Sequence, residues 1–319
     1  MKKLILRLLP FADPLVVPFV YLAGFLLKNM RRAGVQHLPR CREAFMNVGV
    51  FPVRRHYYEP QFDFRVTRVP LSADRALPAV DWNIAGQLQL LGTFTRAEEL
   101  ADLAQPGSGA PGFCLENDFF QAGDAEYWYQ LIRQVKPARI FEVGSGHSTL
   151  MAARAIRRNV DESAGYQCKH VCIEPYEAPW LEQTGVTVLR KPVEEVGLEF
   201  FSELGQNDVL FIDSSHVIRP QGDVLFEYLD LLPALNPGVI VHVHDIFSPK
   251  DYPAEWLRDE VRLWNEQYLL EAFLSYNHGW KIVGSLNYLY HHHREQLQAV
   301  APFLTATAEP RSFYMQKVG

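Results

Sequence analysis

The stretch Glu142-Val143-Gly144-Ser145-Gly146 joins a short apolar run, Arg139 to Val143, to a helical pattern that begins near Leu150. Glycines at such a junction let backbone approach a ligand closely, and the helix that follows offers unpaired N–H groups to an anion. Other polar groups also close apolar runs: Glu174 ends "HVCIE", Asp213 and His216 end "VLFIDSSH", and His242, His244 and Asp245 end "VIVHVHD". In an open α/β sheet, ligands bind outside the carboxyl ends of the strands, so these tips are where chemistry belongs. A loop for nucleotide phosphates is excluded, because no Gly-Lys-Ser/Thr follows the turn. The dinucleotide fingerprint needs a third glycine, and this chain has Thr149 there.

The acidic residues narrow the choice. A carboxylate at the second strand tip, Glu174, can accept both hydroxyls of a ribose. Glu142 beside the turn disfavours a pyrophosphate and suits a cationic amino-acid portion. A ligand with a ribose, an ammonium and a sulfonium satisfies both, and that ligand is S-adenosylmethionine (SAM).

Methyl transfer to an alcohol needs alignment of nucleophile and sulfonium, with a base or a metal to take up the proton. His216, His244 and Asp245 are the catalytic candidates. His242, deeper in its strand, is expected to be a hydrogen-bonded core histidine. A histidine can serve as that base with no metal. Tyr57, Tyr58 and Glu59 are candidate acceptor contacts, in an aromatic-rich segment placed to cover the strand tips. The triple histidine His291–His293 reads as a solvated strand end.

Around these tips the elements alternate. Asp124 can N-cap a helix that Pro137 ends. The runs "RIFEV", "HVCIE", "VTVL", "DVLFID" and "VIVHVHD" are too short for helices. They are separated by helical stretches around Leu150–Arg158, Val193–Leu204 and Asp223–Leu232. The pattern predicts an α/β, doubly wound, mostly parallel sheet from about Glu116 to His291. A further helix, "WNEQYLLEAFL", precedes late strands in "WKIVGSLNYLYHH". Three segments are expected: 1–33, which contacts a membrane; 34–112, an extension or lid ending in the loop "QPGSGAPG"; and 113–319, the catalytic domain.

In the first segment the uninterrupted apolar stretch runs from Pro14 to Leu27, short for a span of about 20 residues. Pro10, Pro14 and Pro18 predict a broken or re-entrant arrangement. A secretory signal is the rival reading, but the run ends in Lys28, Arg31 and Arg32 without a small-residue cleavage site. Basic flanks on both sides suit the cytoplasmic face of the membrane. The remaining alternative is an arm packed on its own domain or on a dimer partner. A net charge of −6 and scattered Lys and Arg argue against nucleic acid as a partner. Cys41, Cys114, Cys168 and Cys172 do not form a disulfide framework in 319 residues, and Cys168, His170 and Cys172 lack a second pair at zinc-site spacing.

"FEVGSGHST", "CIEPY", "VLFIDSSHV" and "LLPALNPGVIVHVHDIF" resemble, in order, the signature segments of class I SAM-dependent methyltransferases, in particular the bacterial branch called methyltransferase family 24. "HYYEP", "NDFFQAGDAE", "DYPAEW" and "WNEQYLLEAFL" are also similar to that branch. The resemblance implies a Rossmann-like fold and SAM held by Glu142, Gly144, Ser145, Gly146 and Glu174, with Asp213 at the next tip. It also implies a small-molecule or glycan acceptor, such as a lipid-linked sugar, and allows a homo-oligomer. Related sugar O-methyltransferases hold magnesium with an aspartate at the first of these tips and an Asp-Asp pair at the second, which implies Asp213 and Asp245 as candidate ligands for magnesium or manganese, although His244 stands where that pair has an oxygen donor. Two other readings compete: an NAD-dependent sugar oxidoreductase, which the missing third glycine disfavours, and a non-catalytic scaffold, which has no use for polar strand tips.

Overall fold

The computed structural model describes residues 2–50, 52–53, 58, 60, 67–104, 113–115, 117–306 and 308–319. The chain divides into two compact units, Met1–Arg68 and Val69–Gly319.

The first unit is helical. Helix α1 runs unbroken over Lys2–Ala33, and α2 over Pro39–Val48, where Gly49 closes it in a left-handed conformation. The expected break at the prolines is absent. Pro10, Pro14 and Pro18 are four residues apart, so the three missing N–H donors lie on one face of the helix and the rest of the ladder continues. Phe11, Leu15, Phe19, Leu22 and Phe25 on α1 are all exposed.

The second unit is built on a seven-stranded sheet. In chain order the strands are β1 (Arg139–Val143), β2 (Lys169–Ile173), β3 (Thr187–Leu189), β4 (Val209–Ile212), β5 (Ile240–Val243), β6 (Trp280–Ser285) and β7 (Phe313–Lys317). Their spatial order is β3-β2-β1-β4-β5-β7-β6, reversing at β1. Strands β1 to β5 pair in parallel, and β7 runs antiparallel to both β5 and β6. The parallel strands read as continuous apolar runs because both faces are covered. Ile140, Val209, Phe211, Ile240 and Tyr314 point into one buried cluster, and Phe141, Leu210, Ile212, Val241 and Met315 into the other.

Helix α3 (Ile84–Leu91), α4 (Asp124–Val135) and α5 (His147–Glu162) belong to this unit. Several local expectations change. The N-cap of α4 is Gly123, whose N–H donates to Glu126 (2.9 Å), while the Asp124 carboxylate turns away to accept from the backbone of Arg311 and Ser312. The 193–204 stretch is one short turn, Val193–Glu195, and one short helix, Leu198–Phe201, separated by Gly197 at φ +84°. The segment after β6 is a helix, Leu286–His292, so the histidine triplet sits at a helix end; His291 pairs with Glu309 and His292 with Asp74, both at 2.7 Å.

The unit boundary also falls earlier than expected, at 68/69 instead of 112/113. Residues 69–103 are part of the sheet unit. Leu91, Phe94 and Leu100 join its core. Gln87 is fully buried and accepts from the Ser285 N–H (2.7 Å), and Arg75 forms a two-point ion pair with Glu271. A chain beginning at Val69 should therefore fold alone. Its unfolding midpoint should lie within about 2–4 °C of the full chain's, the shift that about 1 kcal/mol produces at this size. Loss of cooperative unfolding by calorimetry would show that the first unit completes the core.

Candidate functional site

The turn after β1 is closed by contact with the neighbouring strand end. Gly144 adopts φ +74°, its N–H donates to Ile173 O (3.0 Å), and a Cβ there would lie 1.9 Å from Asp213 O. Only glycine fits. Gly146 has extended backbone and faces open space, so its hydrogen is the surface a ligand would meet. Glu174, at the tip of β2, is nearly buried, and its carboxylate accepts from the N–H groups of Ser145 (3.3 Å), Tyr176 (3.0 Å) and Glu177 (2.8 Å).

Two adjoining cavities open along this edge. One of 430 Å³ is lined by Gly144, Glu174, Tyr176, Val193, Asp213 and Ser215. The other, of 280 Å³, is lined by Phe119, Ser145, Gly146, Glu174, Trp180 and Asp213. Glu174 and Asp213 line both, which puts two carboxylates where the cavities meet.

Glu142 is placed differently from the expectation. Its carboxylate is fully buried beneath the turn, accepts from Ser148 Oγ (2.8 Å) and Thr149 Oγ1 (2.9 Å), and pairs with His170. It lines neither cavity. The residue anchors the start of α5 under the glycines, so any effect on a ligand passes through the turn.

At the tips of β4 and β5 the structure assembles a charged network. His216 Nε2 lies 3.2 Å from Asp213 Oδ1 and 3.6 Å from Asp245 Oδ2, and its Nδ1 lies 2.7 Å from Glu266 Oε2. His244 Nδ1 is 3.5 Å from both Asp213 and Asp245, and its Nε2 is 3.8 Å from Asp124. The Arg311 Nε contacts Asp245 at 2.8 Å. Burial works against a charge on either imidazole, but the surrounding carboxylates outweigh it. His244 is pushed up to about 10 by Asp245 and Asp213, and His216 is held well above the usual value by Asp213 and Glu266. Asp213 is held well below the carboxylate range, burial notwithstanding, by His244 and His216. Both histidines are therefore biased toward the imidazolium form, a bias the sequence did not suggest.

His242 is a core residue, as expected, but neither ring nitrogen has a hydrogen-bond partner. The ring stacks on Tyr314 (4.1 Å) and meets Phe211 edge-on (4.6 Å), and burial holds it neutral. Tyr57 and Glu59 lie outside the described residues; Tyr58 is exposed, in the first unit. Asp124, Glu266 and Arg311 were not foreseen as site residues. Each is far in sequence from the group it contacts, although "WNEQYLLEAFL" held a signal in an acid at a helix start.

Asp213, His216 and Asp245 present ligand atoms within 4.8 Å of one another, the spacing a metal could use. Their chemistry does not fit magnesium. One donor is an imidazole nitrogen, and one carboxylate is already paired with Arg311. A cation there would displace the imidazolium that now balances both acids.

The model of methyltransferase family 24, described as a methyltransferase domain, matches residues 141–246. An uncharacterized protein of Archaeoglobus fulgidus is 25% identical over 165 residues, 48% of this chain and 73% of that protein. Among solved structures, the O-methyltransferase of Bacillus cereus in complex with SAH covers 73% of this chain and 91% of its own, at 14% identity and TM-score 0.34. The MycE methyltransferase of mycinamycin biosynthesis, in complex with Mg, SAH and mycinamycin VI, covers 70% of this chain at 13% identity and TM-score 0.37. This chain spans about half of MycE (54%). At these scores neither structure bears on the chemistry here. The family match falls on β1 through the tip of β5, the strands that carry the glycine turn, Glu174 and the charged tips, and over these residues the chain is similar to class I SAM-dependent methyltransferases of the family 24 type.

Proposed function

We propose that this methyltransferase acts on oxygen, taking a hydroxyl of a glycan or lipid-linked sugar as acceptor at the cytoplasmic face of a membrane. The observation that carries the reading is His216, held between Glu266 and Asp213, the acid that lines both cavities. An alcohol must lose its proton as the new bond forms, and an imidazole is the side chain suited to accept it. The acceptor oxygen attacks the methyl carbon, the carbon–sulfur bond breaks with its electron pair left on sulfur, and the hydroxyl proton passes to Nε2 of neutral His216. SAM supplies the methyl group. Gly144, Gly146 and Glu174 position it, and Asp213 and Asp245 stabilise the imidazolium that results.

The membrane part rests on α1. Residues 10–33 form the one helix among the described residues that is long and apolar enough to cross a membrane, and none of it is buried. Its 24 residues rise about 36 Å, against about 30 Å of hydrocarbon. Proline is tolerated in such a helix. Lys28, Arg31 and Arg32 sit at one end, where each adds about 1 kcal/mol against anionic headgroups.

Three outcomes are expected. Glu174→Ala should fold and bind SAM at least about tenfold more weakly in a calorimetric titration, a loss of about 1.4 kcal/mol; unchanged affinity would remove Glu174 from the ribose site. Incorporation of labelled methyl from SAM into a cell-envelope extract should rise from about pH 6 to about pH 9, because a proton must leave a histidine whose carboxylate neighbours raise its pKa above the usual value. The sign is opposite for stability. The raised pKa of His244 stabilises the fold fully below about 6.5, and that contribution drains away as pH rises toward about 10. A rate that is flat or falls over that range while the protein stays folded would exclude either histidine as the base; chelator should have no effect. Finally, the full chain should sediment with anionic liposomes and resist moderate salt, while the chain from Val69 stays in solution. A full chain that remains soluble without detergent would defeat the membrane reading.

A further inference from the structure

A base is useful only if the correct nitrogen faces the substrate. His216 has two nitrogens: Asp213 at its own strand end faces Nε2 at 3.2 Å, and the partner of Nδ1 comes from a residue fifty positions later. Glu266 is the first residue of the helix Glu266–Leu274 and is fully buried. Its Oε2 meets His216 Nδ1 at 2.7 Å, while its Oε1 accepts from Tyr228 OH at 2.9 Å. Both carboxylate oxygens are thus engaged, and the group cannot rotate without losing one partner.

The backbone supports the same geometry. His216 has φ +60°, a left-handed conformation that a non-glycine residue adopts only where its surroundings impose it. Its carbonyl accepts from the N–H groups of Asn265 (3.0 Å) and Glu266 (3.2 Å), and Asn265 Oδ1 accepts from Ile218 N–H (2.7 Å). Trp264 packs against the ring, with centroids 4.2 Å apart. Residues 264–266 therefore hold His216 by its main chain, its ring face and its Nδ1 together. Nε2 is directed the other way, at Asp213 (3.2 Å) and Asp245 (3.6 Å), and Asp213 lines both cavities.

We infer that Glu266 is a positioning residue: it keeps the proton on Nδ1 of His216, so that Nε2 is the nitrogen that exchanges a proton with the acceptor. The inference rests on the proposed reading of His216 as the base. A carboxylate behind an imidazole is an effective device because it fixes ring orientation and tautomer at once. Without it, the neutral ring would be free to carry its proton on Nε2 and present a donor to the substrate. Glu227, the neighbouring buried acid, does not compete for this role. Its carboxyl accepts from Ser214 Oγ (3.0 Å), and burial together with the charge of Glu266 holds it neutral.

The test uses the full chain in detergent, labelled with 15N-histidine. The His216 resonances are assigned by their loss in His216→Gln. The wild type should show a strongly downfield Nδ1–H proton, the signature of an imidazole bonded to a carboxylate, and Glu266→Ala should lose it. In the same variant, labelled-methyl transfer from SAM into envelope extract should fall at least about tenfold, with SAM affinity by calorimetry unchanged. Glu266→Gln, whose amide oxygen can still accept from Nδ1–H, should restore part of the rate; a residue needed only for packing would show neither the lost proton signal nor this graded rescue. Persistence of the downfield proton in Glu266→Ala, or an unchanged transfer rate, overturns the inference. Full transfer by His216→Gln overturns the base reading itself and this inference with it. Should the Glu266 variants fail to fold, Tyr228→Phe frees Oε1 and should weaken the same signal and lower the rate; no change in either overturns the inference.

Discussion

The edge of this sheet gathers negative charge, and the site is organised by the ways the fold compensates it. Glu142, Glu174, Asp213 and Asp245 all lie at or near the carboxyl ends of adjacent parallel strands, and Asp124 joins them from α4. Two like charges about 4 Å apart repel by about 4 kcal/mol at the effective dielectric of a protein surface, so none of these acids can be left unpartnered. Each is handled differently. Glu142 is buried with two hydroxyls and an imidazole, Glu174 takes three backbone N–H groups, and Asp213 and Asp245 share two imidazolium ions and an arginine. The first solution builds the turn, the second leaves carboxylate edge facing a cavity, and the third stores protons.

These three environments explain why acids that look equivalent in the sequence do not play equivalent parts. Glu142 and Glu174 both stand beside the glycine turn, and both were assigned to the cofactor. The difference is one of position along the strand. Glu142 lies within β1, three residues after Arg139, and its side chain is buried against the start of α5, whereas Glu174 follows the last residue of β2 and clears the sheet. In register Glu142 pairs with Cys172, so Glu174 stands two residues further along, past the strand end, and that offset separates a core group from a ligand group.

Much of the parallel half of the fold was legible, because buried parallel strands are short apolar runs and the helices between them keep their period. What was not legible depends on contacts remote in the chain. The left-handed backbone of His216 is imposed by Asn265 and Glu266, and the carboxylate of Asp124 is drawn from its helix cap by the backbone of Arg311 and Ser312. Strand β7 is the last element and lies between β5 and β6, so its place in the sheet comes from topology and not from local pattern. The prolines of α1 were misjudged for a related reason. Each breaks one bond of the ladder, but their four-residue spacing puts the losses on one face, which a residue-by-residue penalty does not register.

The compensation at the β4 and β5 tips sets a limit on the chemistry. Acids that hold an imidazole charged also make it a stronger base once its proton has gone, and the two effects oppose each other. Every unit by which the histidine is raised costs about 1.4 kcal/mol to reach the neutral form at a fixed pH below its pKa. The same unit favours transfer of the acceptor's proton in the step that follows. A site built only for stability would stop at ion pairs with both carboxylates exhausted. Here Asp213 keeps about a third of its side chain exposed, at 35%, on the wall of both cavities, while His216 and His244 behind it are sealed. A cation arriving in those cavities enters the field of the acid that faces both imidazoles. Its charge weakens their hold on the proton, by about 4 kcal/mol per pair at 4 Å and less with distance. Asp213 therefore couples the charge in the cavities to the protonation of His216 and His244, because it faces the cavities on one side and the histidines on the other.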